Sequence, residues 1–181
     1  MSGVLPGPLV PLEPLGAPGA RVTVLGVGNP IMGDDGTGLE LLARLRLERP
    51  DPRVEFVDGG TGGMELLPVV QDAVHLLILD AVAGTEPGVV VRVGGDQLPR
   101  MLSAKLSPHQ VGLLDVFAAA RLLGREPAHV QVVGVVPELV ELTLGLSPVV
   151  SAALPLAVAT AVAVLDRWLA ALPPVPTAGQ S

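Results

Sequence analysis

Short, almost unbroken aliphatic runs recur along this chain, and most of them stop abruptly in Gly or Asp. Arg21–Gly26 reads RVTVLG, Val54–Asp58 reads VEFVD, His75–Ala81 reads HLLILDA, Val89–Val93 reads VVVRV and Val130–Val136 reads VQVVGVV. Runs this short and this rich in Val, Leu and Ile are strands buried on both faces. Between them lie stretches with helical spacing. Gly36–Leu47 places apolar residues at Leu39, Leu42, Ala43, Leu45 and Leu47, Met64–Val70 fits a short helix, and Gln110–Leu123 is a longer one stopped by Gly124. Ser147–Leu172 closes the series, with Ser147 as cap and Pro148 as first helical residue. Strands alternating with helices predict an α/β fold of three layers: a twisted, mixed and mostly parallel sheet flanked by helices on both faces. The step from the 75–81 strand to the 89–93 strand is too short for a crossover helix, so one pair is expected to be antiparallel.

The predicted body is residues 21–172. Residues 1–20 are rich in Pro, Gly and Leu and read as a mobile extension, and residues 173–181 as a second mobile tail. No Lys or Arg precedes Arg21, so a secretory signal is not expected. The apolar run Val149–Val164 contains Pro155 and is read as a buried helix with a kink or an interrupted start, too short to span a bilayer.

Composition removes several kinds of function. The net charge of −7 repels phosphate backbones, and two Phe, one Trp and no Tyr leave little to stack on bases, so no nucleic-acid partner is expected. The same charge gives no help at an anionic membrane. The absence of Cys excludes disulfides, thiolate metal sites and a cysteine nucleophile. G-x-S-x-G, H-E-x-x-H and the phosphate-binding G-x-x-x-x-G-K-[ST] are absent as well. Gly26-x-Gly28 imitates the start of a dinucleotide fingerprint, with Asp58 as a ribose acid. Ile31 stands where the third Gly belongs, however, and Pro30 removes a backbone donor, which argues against a nicotinamide oxidoreductase.

Ligands of open α/β sheets gather at the carboxyl ends of the strands. Three strands deliver carboxylates there. The first runs into Gly28-Asn29-Pro30-Ile31-Met32-Gly33-Asp34-Asp35-Gly36, the second into Asp58-Gly59-Gly60-Thr61-Gly62-Gly63, and the third into Asp80-Ala81. Asp80 follows an aliphatic run and would need a partner if buried. His75 begins the strand that Asp80 ends, roughly 16 Å away, and His129 also precedes its strand. His109, in the loop Ser107-Pro108-His109-Gln110 leading into a helix, can approach the Asp80 edge. Two carboxylates and an imidazole suit a divalent transition metal and leave coordination positions open.

Taken together, VLGVGNPIMGDDGTG (24–38), DGGTGGMELL (58–67), LILDAV (77–82), SPHQVGLLDV (107–116), VVGVVPE (132–138) and GLSP (145–148) resemble the nickel-iron hydrogenase maturation endopeptidases, above all those serving uptake-type hydrogenases. The blocks stand in the family's order and cover nearly the whole chain between the tails. The resemblance implies an endopeptidase of aspartic or metal-dependent type. Such an enzyme removes the C-terminal extension of a hydrogenase large-subunit precursor, near a Cys-x-x-Cys motif, once nickel has been inserted. Carried over to this sequence, the residues that meet the nickel are Asp35, where several members have Glu, Asp80 and His109, with Asp58 and Asn29 in support. The nickel arrives with the substrate and is not a resident cofactor. The expected partner is the precursor alone, with no membrane or nucleic acid, and the protein is expected to be a cytoplasmic monomer. Two mechanisms stay open: nickel polarises the scissile carbonyl or a water, or it serves recognition only while Asp35 or Asp80 acts as general base. A non-catalytic nickel-binding or chaperone module for the same precursor is the rival reading.

Overall fold

The computed structural model describes residues 22–94 and 108–173, excluding the side chains of 108–111. The expected extension at 1–20 lies outside the described residues, as does the expected tail from 174 onward. The elements in order are β1 (Val22–Val27), α1 (Thr37–Glu48), β2 (Val54–Gly60), α2 (Leu67–Asp72), β3 (His75–Ala81), β4 (Val90–Gly94), α3 (Pro108–Leu122), β5 (His129–Val135) and α4 (Pro148–Ala171). Short 3-10 turns at Gly33–Gly36 and Met64–Leu66 lead into α1 and α2.

The five strands lie in the order β2-β1-β3-β5-β4. β1 pairs in parallel with β2 and β3, and β3 pairs in parallel with β5. β4 is the antiparallel strand, and its partner is β5 rather than the preceding strand β3. A short connection therefore carries the chain past the slot that β5 later fills. The sheet is mixed and mostly parallel, as its aliphatic runs predict.

Period-two alternation sorts the two cores. Val22 and Val24 of β1, Leu77 and Leu79 of β3, and Val133 and Val135 of β5 face α1 and α4. Leu25 and Val27, Leu76 and Ile78, and Val132 face α2 and α3. Each fully buried aliphatic side chain contributes roughly 1.5–3 kcal/mol, which is how a chain so poor in aromatics builds a core.

Two helices differ from the sequence reading. α1 buries Leu41, Leu42 and Leu45, while Leu47 is 84% exposed and Ala43 points to solvent. Its apolar residues outnumber its buried positions, because only one side of the helix meets the sheet. α4 runs unbroken through Pro155 for 24 residues, with Ser147 capping through a bond from the Val150 N–H. By length and composition alone it could cross a bilayer, contrary to the shorter span read from the sequence. It is not uniformly buried: Leu154, Ala157, Val158, Ala161, Val164, Leu165 and Leu169 face the sheet, and Pro155 and Leu156 face outward.

Candidate active site

The chain leaves β1 for β2 on one side and later returns to β3 on the other, so the strand order reverses between β1 and β3. In open α/β sheets that switch point opens a crevice beyond the strand ends. The β1 loop folds back over this crevice as the Gly33–Gly36 turn, which contacts β3. α1 then starts close against the sheet, where a Cβ on Gly38 would collide with the carbonyl oxygens of Val27 and Leu79. Gly28 is constrained too: its φ is +136°, and a Cβ there would collide with the Asp35 carbonyl oxygen.

Asp35 is buried in this turn, and its Oδ2 accepts the Asn29 N–H at 3.0 Å. The side-chain Oδ1 of Asn29 in turn accepts the Ile31 N–H at 3.2 Å, so Asn29 shapes the loop that carries Asp35. Asp80 is the penultimate residue of β3, buried, in register with Gly134 of β5. Asp58 differs from both. It is exposed, and its Oδ1 accepts the Gly60 N–H at 3.0 Å to shape its own turn. The loops after β1 and β2 are tied by the Gly28 N–H donating to the Gly60 carbonyl at 2.8 Å.

His109 lies in the first turn of α3 and not in a preceding loop, because Pro108 begins the helix. Proline suits that position, having no N–H to leave unsatisfied. The side chain of His109 lies outside the described residues. Its helix packs beside the β2 loop, with a Cβ on Gly112 falling 3.2 Å from the Gly63 Cα. The turn carrying Asp35, the strand end carrying Asp80 and the helix start carrying His109 thus open on one edge of the sheet. Among the described residues, no three His, Cys, Asp or Glu side chains form a metal-sized cluster.

The other two histidines are at the far edge. His75 and His129 are register partners, their rings stacked at 4.6 Å, with Trp168 at 5.2 Å from His75.

Sequence reasoning gave no role to Asp34, and the structure gives it a large one. Its carboxylate is fully buried and accepts three backbone N–H groups: Glu138 and Leu139 on Oδ2, both at 2.9 Å, and Ser147 on Oδ1 at 2.6 Å. Its own N–H donates to the Leu139 carbonyl, and its carbonyl accepts the Thr37 hydroxyl. Burial pushes the Asp34 carboxyl upward, but the bonds from Ser147, Leu139 and Glu138 outweigh it and hold the group below its ordinary value. Of the adjacent carboxylates, Asp34 clamps residues 138–147 to the turn. The available signal was the doublet Asp34-Asp35 itself, which two equivalent ligands would not explain.

Comparison with known proteins agrees with this architecture. The profile of the hydrogenase maturation protease family matches residues 20–164. The chain is 41% identical over 136 residues to the hydrogenase 2 maturation protease of Escherichia coli K12, covering 73% of this chain and 82% of that protein. It is 38% identical over 152 residues to the hydrogenase expression/formation protein HupD of Rhodobacter capsulatus, covering 82% and 72%. The solved structure of the E. coli hydrogenase maturating endopeptidase HybD superposes with a TM-score of 0.76 at 38% identity, over 81% of this chain and 93% of that one. The [NiFe] hydrogenase maturation protease HybD of Thermococcus kodakarensis gives 0.65 at 28% identity, over 80% and 98%. With this sheet order, these loops and matches over most of its length, the chain belongs to the hydrogenase maturation protease family.

Proposed function

We propose that this protein is an endopeptidase that removes the C-terminal extension of a nickel-iron hydrogenase large-subunit precursor after nickel insertion. In this reading Asp35, Asp80 and His109 meet the nickel carried by the substrate. The observation that supports it most is the contact of the Asp35 turn with β3, the strand that carries Asp80 next to its end, at the switch point of a sheet of this family. Carboxylate and imidazole donors suit nickel and leave positions for ligands from the substrate. The buried carboxylates can hold the metal against the scissile peptide, or one of them can take a proton from the attacking water. The working body is residues 21–172, acting as a cytoplasmic monomer on a protein substrate, without nucleic acid or membrane.

Mass spectrometry of purified precursor after incubation with the protein tests this directly. Nickel-loaded precursor should lose its C-terminal extension, and nickel-free precursor should stay full length. A chain lacking residues 2–20 should cut equally well. A nickel-loaded precursor that binds but is never shortened would identify a chaperone in place of a protease.

A further inference from the structure

The segment clamped by Asp34 displays apolar side chains to water. Leu139 is 40% exposed, Val140 49%, Leu142 78% and Leu144 82%, and Ile31 on the neighbouring loop is 50% exposed. These side chains stand on a fixed frame. The Thr143 N–H donates to the Ile31 carbonyl at 3.1 Å, and the Gly33 N–H donates to the Thr143 carbonyl at 3.0 Å, forming a short parallel bridge between the two segments. The Asp34 carboxylate holds both ends of the 138–147 segment, and Leu146 roots it in the core. Leu142 and Leu144 flank Thr143 in the chain, and both are strongly exposed beside this bridge. Two shallow depressions meet here at Gly33 and Gly145. One, of about 270 Å³, lies against Pro30, Leu39 and Leu146, and the other, of about 150 Å³, lies against Leu139 and Leu144.

Rigidly displayed apolar side chains in one patch mark a binding surface. Two observations identify the occupant. The patch adjoins the candidate site along the chain: the loop that contributes Ile31 also contributes Asp35 four residues later. Its rim is acidic, with Glu138 and Glu141 both exposed among the apolar residues. We propose that this platform docks an apolar stretch of the precursor polypeptide flanked by Lys or Arg, and so holds the substrate while its cleavage site reaches Asp35 and Asp80. The inference rests on the proposed endopeptidase reading for the identity of the substrate, though not for the existence of the surface.

The experiment measures KM and kcat for nickel-loaded precursor, and separately the dissociation constant of the complex. Leu142→Ser combined with Leu144→Ser should raise KM and the dissociation constant about tenfold or more, with kcat and melting temperature unchanged. Leu122→Ser, at an 87% exposed leucine near the end of α3, should change neither constant. Glu138→Gln combined with Glu141→Gln should raise KM about threefold at low salt, and the difference should vanish at high salt. If wild type cuts the precursor and the double leucine variant keeps its KM, the platform is wrong and the endopeptidase reading stands. If wild type binds without cutting, and the leucine variant still loses affinity, the platform stands and the reading fails. Failure of wild type to bind the precursor would assign the surface the wrong occupant. A salt-independent response of the glutamate variant would remove the basic flank from the proposal.

Discussion

At the edge where the strands begin, carboxylates are matched to arginines. Asp51 takes Arg53 at 2.9 Å, Asp166 takes Arg49 at 2.8 Å, and Asp72 takes Arg125 at 3.0 Å. Arg53 also donates to the Leu169 carbonyl, stapling the end of α4 to the start of β2. At the edge where the strands end, Asp34 takes three backbone N–H groups and Asp35 takes that of Asn29. The distinction is electrostatic. A guanidinium neutralises the carboxylate it binds, whereas an amide satisfies it and leaves the charge in place. The first edge is a set of cancelled charges that ties helices to strands. The second keeps the charge of Asp34 buried beside a crevice.

The sharpest way to break this contrast is to remove a site group. Asp80→Ala or His109→Ala should lower precursor processing by roughly 10²–10⁴-fold or abolish it, while circular dichroism and melting temperature show the fold retained. Full activity in either variant would remove that residue from the proposed mechanism.

A smaller effect, on stability, is expected at Asp34. Alanine there leaves three backbone N–H groups without their acceptor, at a cost on the order of 3 kcal/mol, or a fall of roughly 6–12 °C in melting temperature. Its pH dependence has a definite sign. The folded pKa lies below the ordinary 3.8, so the contribution is complete above that pH and is lost as pH falls through the folded value. The advantage of wild type over Asp34→Asn should therefore shrink between pH 5 and the acid limit, as followed by thermal melts. Asp51, held at about 2 chiefly by its hydrogen bond from Arg53, loses its own contribution over the window from 3.8 down to about 2 in both proteins alike. A wild-type advantage that grows on acidification would contradict the clamp.

The mildest outcome is expected at the far edge. His75→Ala and His129→Ala should process precursor at the wild-type rate and cost about 0.5–1.5 kcal/mol through the lost ring stack. Loss of processing in either variant, with melting little changed, would erase the division of labour between the two edges.

The features readable in the sequence are those whose cause is local. The aliphatic runs of β1 and β3 are buried along almost their whole length because both faces are covered, and that burial is visible in composition alone. Asp35 and Asp80 could be placed at one edge because strand direction and length suffice. Register also carried His75 and His129 to the opposite edge. What could not be read depends on partners distant along the chain. Nothing near β4 indicates that it bypasses β3 to pair with β5. The buried face of α1 is chosen by the sheet, from more leucines than the sheet can cover. Asp34 and Asp35 look equivalent until residues 138–147 arrive to claim one of them.

That late arrival bears on the order of events during folding. The bond from Ser147 to Asp34 closes a loop of 113 residues. During synthesis β1 emerges early, but the turn beyond it is without its clamp until the start of α4 leaves the ribosome. Contacts of such separation form late, after the chain has met the entropy of closing the loop. The edge where the strands end is therefore finished only when nearly the whole body exists, and a nascent or truncated chain ending before residue 147 holds the sequence of the loop after β1 without its shape.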